Sequence, residues 1–183
     1  MRLTRIAVHQ KLKGVSLIEV LVSIVIASVG LLALAGVNAS SIRYTKMSQY
    51  RGTATQLASD MAERMRANKA GLAAYDIQTS FADQATLPNM VATECNSTAT
   101  ACTAAQVAAY DLVTWRFTVR DQLPEGSIYI AYQNVQTAAD VWVVWRDPAV
   151  ADDDLSVAAS ECPGTLGVGA DPSVRCSYFR INL

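Results

Sequence analysis

From Val15 to Val37 the chain reads VSLIEVLVSIVIASVGLLALAGV, with Glu19 as its one charged residue. The 18 residues from Val20 to Val37 carry no charge at all, and Ile42 prolongs the apolar character. A helix rises about 1.5 Å per residue, so roughly 20 such residues cross the hydrocarbon layer of a bilayer. The pattern therefore predicts a membrane-spanning helix. Beyond it the periodicity becomes amphipathic. Met47, Tyr50, Ala54, Leu57, Met61 and Met65 recur at intervals of three or four residues, while Arg51, Glu63, Arg64 and Arg66 occupy other positions. That spacing lines one face of a helix, and Asp60 and Arg64 stand at the i,i+4 distance of an ion pair. Asn68 and Gly71 supply a stop. One helix is expected from about Leu17 to about Ala70, apolar in its first half and amphipathic in its second.

Residues 72–102 have no clear period and are read as a connecting loop. Thr103 and Gln106 form a capping-box pair three residues apart. Ala108, Leu112, Trp115, Val119 and Leu123 come next at helical spacing, and Leu123-Pro124-Glu125-Gly126 ends this second helix. Three segments rich in β-branched and aromatic residues then read as strands: 127–133, 141–146 and 176–183. In the last, Phe179, Ile181 and Leu183 alternate with Arg180 and Asn182. Val141-Trp142-Val143-Val144-Trp145 is apolar on both faces, as a central strand would be. The expected fold class is α+β, a long N-terminal α-helix packed on a small antiparallel β-sheet. The expected segments are 1–14, 15–42 (a transmembrane helix) and 43–183 (a head domain that includes the amphipathic half of the helix).

Charge gives this organisation a direction. Arg2, Arg5, Lys11 and Lys13 lie in the first fourteen residues, which hold no acid. Removing those four from 15 basic residues leaves 11 against 16 acids, so the rest of the chain carries about −5. A basic start before an apolar helix places the N-terminus in the cytoplasm and exports the body beyond the helix. That acidic body has no basic stripe for phosphates, which argues against nucleic acid as a partner. Ala33, Ala35 and Ala39 imitate the cleavage site of an ordinary secretory signal, but such a signal does not carry a glutamate at the start of its apolar core.

Four cysteines, Cys95, Cys102, Cys162 and Cys176, lack the C-x-x-C spacing of redox and zinc sites. Sequence permits three connectivities, and the two local couples favour 95–102 with 162–176. Disulfides imply an oxidising compartment, periplasm or cell surface. The single histidine, His9, lies in the basic leader, so a chain processed after it has no Ser–His, Cys–His or His–metal chemistry. No catalytic residue, metal or cofactor is expected. Asp152-Asp153-Asp154 lacks the rest of a calcium loop, and Gly164, Gly167 and Gly169 read as a flexible disulfide loop. Asn96-Ser97-Thr98 matches a glycosylation sequon that chance supplies easily. Trp142 and Trp145 are expected in the core.

The run Lys13-Gly14-Val15-Ser16-Leu17-Ile18-Glu19-Val20-Leu21-Val22 resembles the signature of type IV prepilins. The resemblance implies cleavage between Gly14 and Val15 by a membrane prepilin peptidase, and N-methylation of Val15. Most of that family begins the mature chain with phenylalanine, and valine departs from this. It further implies that Glu19, fifth residue of the mature chain, pairs with the N-terminal amine of a neighbouring subunit. Val20, Leu21, Ile24 and Leu31 would contact other helices. Gly30 and Gly36 would serve either close helix packing or local unwinding. Three stretches are similar to PilV-type minor pilins: Leu57 to Asn68, Ala109 to Gly126, and the strand ending Trp145-Arg146-Asp147.

That resemblance implies a minor pilin of a type IV pilus, first in the inner membrane and then in the fibre. It would join other minor pilins in a complex that initiates assembly or forms the tip. The implied partners are those minor pilins, the major pilin, the prepilin peptidase, the inner-membrane assembly machinery and a tip adhesin. Two alternatives stay open. A pseudopilin of a type II secretion or DNA-uptake system shares the same N-terminus. A membrane-anchored periplasmic binding domain would not be cut at Gly14.

Overall fold

The computed structural model describes residues 14–89, 94–96, 101–148, 161–169 and 171–183. The basic leader with His9, the aspartate run 152–154, and Ser97 and Thr98 of the sequon lie outside them. The chain divides into two units, Met1–Arg43 and Tyr44–Leu183.

Helix α1 spans Leu17–Ala67 without a break, including Gly30 and Gly36. Within the first unit its apolar side chains are uncovered, and the helix is long and apolar enough to cross a membrane. From Ala54 onward the same helix buries Ala54, Leu57, Ala58, Met61, Ala62 and Met65, the stripe that the i,i+3/i+4 spacing predicts. It stops three residues earlier than expected. Asn68 leaves the helix and turns its side-chain amide to the Ala104 carbonyl (2.8 Å), and a 3-10 turn, Lys69–Tyr75, comes next. Gly71 is required there, because a Cβ would sit 2.5 Å from the Ala104 carbonyl oxygen.

Helix α2, Ala104–Gln122, opens on the expected box: the Gln106 N–H donates to Thr103 Oγ1 (3.3 Å), and the Thr103 N–H donates to Gln106 Oε1 (2.8 Å). Ala108, Trp115 and Val119 are buried on one face, and the Trp115 indole donates to the Leu57 carbonyl of α1 at 3.0 Å.

Strands β1 (Ser127–Gln133), β2 (Ala138–Arg146) and β3 (Val174–Asn182) form an antiparallel sheet in sequence order, with β2 central. β2 starts three residues before the predicted strand, because the tight turn at Asn134–Gln136 brings Ala138 opposite Gln133. The sheet register sorts the side chains. Ile128, Ile130, Ala139, Val141, Val143, Trp145 and Ile181 share one apolar cluster with the buried faces of both helices. Tyr129, Val144, Val174 and Cys176 face the other way, into a smaller cluster closed by Leu166.

Two expectations change. The 72–102 stretch is not featureless: Ile77 pairs with Ile130 through hydrogen bonds of 2.9 and 2.8 Å. The buried Gln84 side chain accepts from the Ile128 N–H (3.1 Å) and donates to its carbonyl (2.8 Å). These contacts cover the outer edge of β1, and a single bridge plus one amide side chain leaves no periodic trace. The 164–169 glycine loop is not loose either, since Leu166 is fully buried under the sheet.

Candidate functional site: the assembly motif and the head

Gly14, Val15 and Ser16 form an exposed, non-helical stretch immediately before α1. The Ser16 carbonyl accepts from the N–H groups of Glu19 (3.0 Å) and Val20 (3.2 Å), which starts the helix. Glu19 thus sits in the first turn, where a carboxylate is favoured by the unpaired N–H groups and the positive end of the helix dipole. The Ser23 hydroxyl donates back to the Glu19 carbonyl at 2.7 Å, and the Ser28 hydroxyl does the same to Ile24. Both hydroxyls are thereby satisfied inside an apolar segment. The fold brings Gly14, Val15 and Glu19 together at one helix end. Val20, Leu21, Ile24 and Leu31 are all exposed there, a surface that needs lipid or other helices to cover it.

The cysteines lie in the head. Cys95 is bonded to Cys102 with Cα atoms 6.0 Å apart, and Cys162 to Cys176 with 5.2 Å. The second bond ties the 161–166 segment to β3. Beside it Glu161 accepts from Arg51 of α1 (2.7 Å) and from both Nε (3.0 Å) and Nη2 (2.9 Å) of Arg175 on β3. Burial works to raise the Glu161 carboxyl, and the hydrogen bonds from Arg175 and Arg51 overcome it, holding the group below its ordinary value.

A second polar hub joins α1, the 3-10 turn and α2. The Tyr75 hydroxyl donates to Asp111 (2.5 Å), and Arg64 reaches Asp111 (3.1 Å) as well as its helix neighbour Asp60 (3.0 Å). Burial, then the bond to Asp111, push the Tyr75 phenol above its ordinary value. Sequence reasoning found the Asp60–Arg64 pair from its spacing. It missed Glu161–Arg51 and Tyr75–Asp111, whose partners stand 110 and 36 residues apart with no pattern to link them.

Among the described residues no group of three or more His, Cys, Asp or Glu side chains could hold a metal ion. Comparison with known proteins points to assembly instead. The prokaryotic N-terminal methylation motif matches residues 10–35. The family of the type IV pilin Tt1218 matches residues 37–113, from the apolar helix into α2. No curated protein and no solved structure matches the chain. Pilins are structural rather than enzymatic, and they associate with other pilins and with the prepilin peptidase that processes them. The methylation motif at the start of the long apolar helix and the pilin match that continues into α2 together support a type IV pilin-like chain, and they fit a prepilin anchored in the inner membrane and then incorporated in the pilus.

Proposed function

We propose that this pilin is a minor pilin of the PilV type, which joins other minor pilins in a complex that initiates the fibre or forms its tip. The observation that carries the reading is the exposed Gly14–Val15 bond, two residues before an apolar helix whose first turn holds Glu19. A peptidase needs an accessible bond outside regular helix, and Gly14 with Val15 meets that need. Cleavage there frees the Val15 amine, which methylation leaves charged. That cation and Glu19 lie at the same end of the chain, so neighbouring subunits pair amine with carboxylate and fix their helix register. Residues 1–14 are the leader, 15–42 the membrane and assembly helix, and 43–183 the head. The major pilin, the inner-membrane assembly machinery and a tip adhesin complete the partners. Support for the PilV type comes from the Leu57–Asn68, Ala109–Gly126 and Trp145–Asp147 stretches.

The test is N-terminal peptide mass spectrometry on native protein from membranes and from sheared fibres. The expected species starts at Val15, with or without a methyl group, and occurs in the fibre fraction at low abundance. The same species confined to the membrane would keep the pilin-like assignment and favour a pseudopilin or a priming role over a place in the fibre. A chain cut near Ala39, or uncut, would leave an exported or anchored domain and overturn the reading.

A further inference from the structure

The sheet register places Tyr129, Trp142 and Tyr178 directly opposite one another on β1, β2 and β3. They form one aromatic row across the outer face. The Trp142 ring meets Tyr129 edge-on at 5.4 Å and tilts against Tyr178 at 4.9 Å. Tyr129 is buried at one end, while Tyr178 is half exposed at the other. The next row on the same face carries Asp140 opposite Arg180. Asp140 accepts from the Tyr178 hydroxyl (2.7 Å) and from Arg180 (3.3 Å). On the far side, the disulfide-tied segment Glu161–Pro163 raises a wall. Between them lies an open cavity of about 360 Å³, lined by Asp140, Trp142, Glu161, Cys162, Pro163 and Tyr178.

We propose that this cavity binds a neutral saccharide. A sugar ring offers an apolar C–H face and a rim of hydroxyls that both donate and accept. The Trp142 and Tyr178 rings, tilted 40° to each other, supply an angled aromatic surface for the first. The rim needs donors and acceptors side by side, and the carboxylates here are each held by guanidinium groups, Asp140 by Arg180 and Glu161 by Arg51 and Arg175. The wall is therefore densely polar without a strong net charge of either sign. Unpaired carboxylates around the same rings would favour a quaternary ammonium ion instead. Unpaired arginines would favour an anionic sugar. The volume falls in the range of small-ligand sites, roughly 300–1,000 Å³. This inference does not depend on where in the fibre the subunit sits, nor on its minor-pilin role.

The chain carries its own reporter. Of its three tryptophans, Trp115 and Trp145 have 0% exposure, so a ligand-induced change in emission reports Trp142. The full-length protein is held in a detergent without a sugar headgroup. It is titrated with N,N′-diacetylchitobiose, methyl β-galactoside and methyl α-mannoside, with choline and N-acetylneuraminic acid as charged comparisons. Acrylamide quenches the accessible tryptophan, and at least one neutral sugar shifts its emission with a Kd on the order of 1 mM. Asp140→Asn and Tyr178→Ala each weaken that response about tenfold, with far-UV circular dichroism unchanged. The proposal is overturned by emission shielded from acrylamide, by no response to any of the three neutral sugars, by tighter binding of choline or neuraminic acid, or by unchanged affinity in both variants.

Discussion

Glu161 shows how a single residue couples elements that sequence keeps apart. Its two oxygens bind Arg51 of α1 and Arg175 of β3, and the Arg175 side chain is only 7% exposed. A second carboxyl, Asp171, is lowered by hydrogen bonds from Ser173 and then from Arg146. A carboxyl lowered by folding binds fewer protons in the native than in the unfolded state. Its stabilisation is therefore complete above the ordinary carboxylate value of about 4 and fades as pH falls through the lowered native value. Glu161→Gln leaves Arg175 without its ionic partner and should cost about 1–2 kcal/mol at neutral pH, a figure moderated by the partial exposure of Arg51. The cost should be smaller near pH 3.5 than at neutral pH, because below the ordinary carboxylate value of about 4 the unfolded chain takes up the proton and the ionic stabilisation fades. Urea unfolding at both pH values checks this, and a pH-independent difference would show that the Glu161 charge plays no part.

At the scale of elements, local signals and long-range closures contribute separately. The Thr103–Gln106 box satisfies backbone donors at the start of α2, the helix that carries Trp115 into the core. Thr103→Ala removes the cap and should destabilise the head by about 0.5–2 kcal/mol, read as a lower thermal midpoint. The two disulfides are expected to differ. Cys162–Cys176 closes 14 residues and fixes both Glu161 and the buried Leu166, whereas Cys95–Cys102 closes only 7. Replacing both members of the larger loop by serine should cost about 2–4 kcal/mol, and more than the same change in the smaller loop. Thermal unfolding without reductant of the two double variants decides the order, and a reversed order would deny the 161–166 segment its part in holding the sheet.

At the scale of the molecule, every buried apolar residue among the described residues lies from Ala54 onward, inside the Tyr44–Leu183 unit. The Met1–Arg43 unit keeps its apolar side chains uncovered among the described residues, so lipid or neighbouring helices must take up that surface. A chain beginning at Tyr44, exported by a cleaved signal, should therefore fold as a water-soluble monomer with both disulfides formed. The full chain should stay with the membrane after alkaline extraction. Sedimentation and a thiol assay check the first expectation. Aggregation of the shortened chain would mean that the head relies on the apolar half of the helix for its core.

Patterns that repeat within a few turns were legible in the chain itself. The apolar run, the amphipathic stripe through Ala54, Leu57, Met61 and Met65, the α2 cap, and the position of β1 all arise from short-range periodicity and capping chemistry. The Gly14–Val15–Glu19 motif was equally local, which is why the pilin-like character could be read from one segment. Tertiary structure alone decided how distant residues meet. Gln84 seals the edge of β1, Glu161 clamps Arg51 and Arg175, Leu166 closes the second cluster, and the register sets Trp142 in an aromatic row on the outer face instead of in the main core. Period-two alternation tells which side chains share a face of a strand. It cannot tell which loop covers that face, because one side chain closing on another across a hundred residues has no period to read.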